Sequence, residues 1–207
     1  MLKPRKNRLI SWFFSGFIQS LVRKNFKDFK VHPAELDPSR SILLLSNHFS
    51  WWDGFFLFYL NKVYLRKNFY IMITEENYNK AFFFKYLGAF GIRKKSKSVF
   101  AALGYCTELL QDPGNLVVIF PQGKLYSGYV ESVDFERGLE KIINSTNKSY
   151  QYLFVSMFVD YFEHRKPSVF CYLQKKNAGE MNNFREVEAE FNKHYQASLK
   201  RQNEIKV

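Results

Sequence analysis

Ser41 to Phe56 reads SILLLSNHFSWWDGFF. Its apolar run, Ile42 to Leu45, reads as a short buried strand, and the polar Ser46-Asn47-His48 marks the exit of that strand into a loop. Asp53 follows His48 by five residues. If the chain turns into a helix near Trp51 and Trp52, the Asp53 carboxylate comes back under the imidazole. Such a pairing fixes the tautomer of the ring and leaves its far nitrogen to take a proton from a hydroxyl near neutral pH. The interval alone is not decisive, because His32 and Asp37 in HPAELD repeat it. His32 precedes Pro33 in a polar stretch with no strand leading into it, which predicts a loop. His48 has the strand, Asn47, the flanking aromatics and Gly54.

In that context NHFSWWD resembles the Asn-His-x4-Asp signature of the glycerolipid acyltransferases, the lysophosphatidate acyltransferase type. What the resemblance implies depends on the rest of the chain.

With 207 residues, the chain is one domain of ordinary size with room for a core. Lys and Arg number 31 against 19 Asp and Glu, a net charge of +12 that favours an anionic partner: a membrane surface, nucleic acid or an acidic carrier. The 23 Phe, 13 Tyr and 3 Trp suit a protein that meets lipid better than a nucleic-acid module, whose basic residues would interleave with exposed aromatics on one surface. Cys106 and Cys171 have neither metal-ligand spacing nor a disulfide pattern, so a reducing, cytoplasmic setting is expected.

Residues 1–30 form a distinct amphipathic stretch ahead of residues 31–207. Lys3, Arg5, Lys6 and Arg8 precede an apolar run, and Arg23, Lys24, Lys27 and Lys30 follow it. From Leu9 to Val22 the run is too short, and too broken by Ser11, Ser15, Gln19 and Ser20, to span a bilayer. Trp12, Phe13, Phe17 and Leu21 predict instead a helix lying flat in an anionic interface, peripheral on the inner face of the membrane. No small-residue cleavage site follows, which argues against a secretory signal.

Further along, a strand is expected at Phe69 to Ile73, then a helix through AFFFKYLG ending at Gly88, and a helix from about Ser98 to Leu110. Arg93, Lys94, Lys95 and Lys97 lie just before that last helix, where free N–H groups also attract anions. Gly88, Phe90 and Arg93 in GAFGIR resemble the family's Gly-x-x-Phe-Ile-x-Arg motif with the Gly-to-Arg interval one residue short. Leu116 to Phe120 is another buried strand, and it leads into Pro121-Gln122-Gly123-Lys124. This resembles the family's Phe-Pro-Glu-Gly-Thr-Arg at Phe120, Pro121 and Gly123, and departs from it at Gln122, Lys124 and Leu125. A helix start at FERGLEKIINS, Phe135 to Ser145, resembles the family's Phe-x-x-Gly. Strands at Tyr152 to Val159 and in PSVFCYLQ precede a helix with Met181, Phe184, Val187, Phe191, Tyr195 and Leu199 on one face.

Strands alternating with helices predict an α/β fold with reactive groups at strand ends. The resemblance implies a mixed central sheet flanked by helices behind the N-terminal segment. It also implies acyl transfer from a thioester, on coenzyme A or acyl carrier protein, to a hydroxyl or amine of a lipid, with no metal or other cofactor. His48 would be the general base and Asp53 its orienting partner. Asn47, Arg93, Lys94, Phe120, Pro121, Gln122, Gly123 and Lys124 would bind substrate. The alternatives are an inactive lipid-binding relative and, from charge alone, a nucleic-acid-binding domain.

Overall fold

The computed structural model describes residues 1–93, 97–144 and 148–207, with side chains in the helix that begins at Lys97 described from Val99 onward. The chain runs α1 (Arg8–Asn25), β1 (Phe29–His32), β2 (Ile42–Ser46), α2 (Asp53–Leu60), β3 (Asn68–Thr74), α3 (Glu75–Lys80) and β4 (Ala89–Ile92). It continues with α4 (Lys97–Leu109), β5 (Asn115–Ile119), α5 (Glu140–Ile143), β6 (Gln151–Asp160), β7 (Ser168–Asn177) and α6 (Phe184–Asn203). Among the described residues, seven strands form one mixed sheet in the order β1-β7-β6-β2-β5-β3-β4. All neighbours are parallel except the antiparallel pair β6 and β7.

β2 is central, and every residue of it is buried. Leu43 and Leu45 point into one core with Val117 and Ile119 of β5, Cys106 of α4, and Phe191 and Tyr195 of α6. Ile42 and Leu44 point into the other with Leu116, Val118, Phe56 of α2 and Ile18 and Val22 of α1. Two covered faces explain why the strand is apolar at each position instead of alternating. α6 starts on Asn183, whose side chain accepts from Glu186 N at 3.0 Å, while Glu186 accepts from Asn182 N at 2.8 Å, a reciprocal cap.

Several expectations need correction. His32 is not in a loop. It closes the edge strand β1 against Tyr172, ring on ring at 4.3 Å. Asp37 turns away to Ser39 and Arg40. The helix expected through AFFFKYLG does not form: the short α3 stops before it, capped at Ala81, and the stretch holds a 3-10 turn, Phe84–Leu87. Gly88 then takes φ 92°, with Phe69 O 1.8 Å from where a Cβ would stand, so only glycine lets the chain drop into β4. The helix start at Phe135 is a 3-10 turn, Arg137–Leu139, leading into one turn of α5. As for residues 1–30, Leu2 bridges Gly91 of β4, and Ile18, Val22 and Phe26 of that segment are buried, while its aromatic side stays exposed. No described helix is long and apolar enough to cross a membrane.

Candidate active site

β2 and β5 are parallel neighbours, so the loops that leave their carboxyl ends emerge side by side. Past Ser46, the Asn47 side chain donates to Met157 O at 2.9 Å and accepts from Met157 N at 2.8 Å. It is 3% exposed. Expected among the substrate contacts, Asn47 instead clamps β2 to β6, with both ends of its amide engaged by main chain.

His48 follows. The chain turns at Ser50 to Trp52, with Asp53 N bonded to Ser50 O at 3.2 Å, and Asp53 opens α2. Its carboxylate folds back over the helix start. Oδ2 accepts from His48 Nδ1 at 2.7 Å, Phe49 N at 2.7 Å and Ser50 N at 2.8 Å. The free N–H groups and dipole of the helix terminus favour a negative charge there. Asp53 is fully buried, and burial pushes its carboxyl above the ordinary range against the downward pull of the imidazole and the two amides. A carboxylate on Nδ1 places the ring hydrogen on that nitrogen and leaves Nε2 as an acceptor. Nε2 has no hydrogen-bond partner among the described residues, and the His48 side chain is 24% exposed. Ser50 Oγ accepts from Trp52 N at 3.2 Å, a turn contact.

The loop after β5 grips the same histidine. Phe120 stacks on the imidazole, centroids 4.0 Å apart at 13°. Gln122, 1% exposed, accepts from His48 N at 2.5 Å, and Tyr126 N donates to His48 O at 2.9 Å. Pro121 is buried, and its carbonyl accepts from Glu136 N at 2.8 Å. Gly123 sits at φ 62° and donates to Phe120 O at 3.1 Å, closing the turn. Gln122 was expected against substrate; its buried oxygen is bonded to the backbone of His48. Gly123 and Lys124 are exposed, and the Lys124 ammonium lies 5.4 Å over the Tyr126 ring. Tyr126 escaped the reading of the sequence because its contact is a main-chain N–H, which nearly every residue type supplies.

Arg93 leaves β4 at the same end of the sheet but three strands from β2, about 14 Å at ordinary strand spacing. Its guanidinium forks onto Glu75 at 3.0 and 3.2 Å and holds that carboxyl below the usual range. Lys94 and Lys95 lie outside the described residues. Among the described residues, no three His, Cys, Asp or Glu side chains gather as metal ligands.

A buried carboxylate on Nδ1, an Nε2 with no described partner and a second loop holding His48 at its ring, N–H and C=O are the arrangement a proton acceptor of fixed aim requires. A family model described as Acyltransferase matches residues 28–159, which span both loops. The chain belongs to this acyltransferase family. No curated protein sequence matches it. Among solved structures, the fold is similar to the crystal structure of the 1-acyl-sn-glycerophosphate (LPA) acyltransferase PlsC from Thermotoga maritima, with a TM-score of 0.70 and 14% identity. That similarity covers 98% of this chain and 86% of the other, so the acyltransferase shares its mixed α/β architecture from end to end.

Proposed function

We propose that this acyltransferase moves a fatty acyl group from an acyl thioester, on coenzyme A or an acidic acyl carrier protein, to a hydroxyl or amine of a lipid acceptor at an anionic membrane surface. The observation that carries the reading is the 2.7 Å His48–Asp53 pair, with Nε2 left without a hydrogen-bond partner among the described residues and the ring part-exposed. His48 Nε2 takes the acceptor proton as its oxygen or nitrogen attacks the thioester carbonyl. Asp53 stabilises the imidazolium that forms. When the tetrahedral intermediate collapses, the carbon–sulfur bond breaks and the proton on Nε2 passes to the departing thiolate.

A lipid acceptor at a membrane is supported by α1. Leu9, Trp12, Phe13 and Phe17 are 80%, 77%, 60% and 47% exposed on the side of the helix away from Ile18 and Val22. Phe82, 58% exposed, meets Phe14 at 5.5 Å and widens the patch. Trp51, 65% exposed, adds an aromatic three residues from His48. An outward aromatic stripe with cations at both helix ends suits insertion among anionic headgroups.

The acceptor differs from lysophosphatidate by carrying a larger head group or no phosphate monoester. Leu125, 54% exposed, stands where the family pattern has Arg, and Lys124 beside it offers a point charge in place of a planar fork. Arg93 already has its fork on Glu75. The test is a competition with one labelled acyl thioester, offering lysophosphatidate beside lyso-aminolipids and hydroxylated glycolipids. Label in the latter supports the reading. Preferred acylation of lysophosphatidate overturns the acceptor assignment, and no transfer to any lipid overturns the function.

A further inference from the structure

β6 and β7 run on past the strands that carry the site. Ser46, the last residue of β2, stands opposite Val155, yet the β6–β7 ladder continues to Asp160 opposite Ser168. Those five added residues of β6 project about 17 Å at ordinary strand rise. Because β6 is parallel to β2, the hairpin tip, residues 161–167, rises from the end of the sheet that holds His48.

The far end of α1 meets this tip. Lys27 N donates to Pro167 O at 2.9 Å, Val169 N donates to Asp28 O at 2.9 Å, and the Lys27 ammonium touches the His164 ring. Arg23, Lys24, Lys27, Lys30, Arg165 and Lys166 are exposed around it, against Glu163 and the half-buried Asp28. Between them Tyr161 is 60% exposed, and Phe162, at φ 45°, is 38% exposed with its ring 6.0 Å from Phe170. Phe162 takes a left-handed conformation without being glycine, in a turn that holds aromatics outward. The last turn of the helix that carries the α1 stripe, with Arg23 and Lys24, leads into the same basic cluster.

We infer that the β6–β7 hairpin tip is a second membrane contact, with Tyr161 at headgroup level and Arg165 and Lys166 on anionic headgroups. It rests on the reading of α1 as membrane-seated. One helix leaves the molecule free to roll about its axis, and a second contact beyond the C-terminal end of α1 fixes which way the His48 end faces the lipid. An acidic protein partner would answer the cations alone. The exposed aromatics among them favour lipid.

The experiment uses the full chain with a cysteine at Tyr161→Cys or, separately, Trp12→Cys, each carrying an environment-sensitive dye; Cys106 and Cys171 are buried. Vesicles are phosphatidylcholine with or without phosphatidylglycerol, and brominated acyl chains serve as quencher. Both labels are expected to shift to the blue and quench on anionic vesicles. The double variant Arg165→Glu, Lys166→Glu, with an unchanged melting curve, should lose vesicle binding by on the order of tenfold or more at low salt. It should keep transfer to a short-chain, micelle-free acceptor. A quenched Trp12 label beside an unresponsive Tyr161 label overturns the inference and leaves the α1 reading standing. Silence at both overturns both. A Tyr161 label that answers an acidic acyl carrier protein and not vesicles overturns the inference in favour of a protein partner.

Discussion

Three donors converge on Oδ2 of Asp53, and Oδ1 is buried with no hydrogen-bond partner among the described residues. Negative charge is thereby held on the side facing the imidazole. Asp53→Asn keeps an oxygen for the Phe49 and Ser50 amides, so the fold should survive. That same oxygen still accepts from His48 Nδ1, but the neutral amide cannot balance an imidazolium, and turnover should fall about 10³-fold or more. Circular dichroism beside turnover checks this, and an unfolded variant would make Asp53 structural. Gln122 makes a separable prediction. Gln122→Glu keeps the oxygen that accepts from His48 N and should retain most activity. Gln122→Leu strips that contact and should lower kcat by about tenfold or more with KM little changed, since one lost backbone hydrogen bond loosens the base by about 1.5 kcal/mol. Equal kcat in the Leu and Glu variants would contradict the positioning role. At this scale the dyad was legible, because its two side chains stand in one short run of sequence. The cradle was not, since two of its contacts end on the backbone of His48.

At the scale of elements, the loop after β5 depends on Gly123. Gly123→Ala puts a side chain at φ 62° with its Cβ 2.9 Å from Glu136 Cγ. The Glu136 side chain can swing away, so the cost is chiefly the left-handed backbone, about 1–2 kcal/mol. Thermal melting should show that loss, and turnover should fall with it because the turn carries both Phe120 and Gln122. A variant as stable and active as the parent would mean that the turn tolerates another shape. β2, β5 and β6 were legible as apolar runs of strand length to within a residue at each end, while β7 runs three residues past its apolar stretch, to Asn177. β1 and β4 were not. FKVH is a half-buried edge strand with two polar residues in four, and AFGI is short and contains a glycine, so each forms because a parallel neighbour offers its hydrogen bonds. The long helix expected across residues 81–88 failed for a related reason: its three phenylalanines pack against α1 and α2 from an irregular segment, with Phe83 stacked on Phe14 at 4.5 Å.

For the whole molecule, pH sensitivity of stability is set in part by a histidine away from the site. His194 is buried under β7, its Nε2 donating to Tyr172 O at 3.0 Å. Burial, with Arg201 and Lys176 nearby, pushes its pKa down to about 4 against the opposing pull of that carbonyl. The unfolded chain binds the proton near pH 6.5 and the folded one only near 4. The folded state is therefore fully favoured above pH 6.5 and loses about 3 kcal/mol as pH falls from 6.5 to 4. Urea unfolding across that range should show the loss in the parent and a flatter profile in His194→Gln; matching slopes would contradict it. The three-layer architecture was legible from the alternation of strands and helices. The hairpin tip was not, because its cations and aromatics meet the end of α1 only after β1 pairs with β7. The central claim is that His48, and not the equally spaced His32, is the base for transfer of an acyl group to lipid. It is tested most directly by mass spectrometry of lipids from cells expressing the parent, His48→Ala or His32→Ala at matched protein levels. The account predicts a new acylated lipid in the parent and with His32→Ala, and its loss, by on the order of 10² to 10⁴, with His48→Ala. The same lipid persisting with His48→Ala, or vanishing equally with His32→Ala, would contradict it.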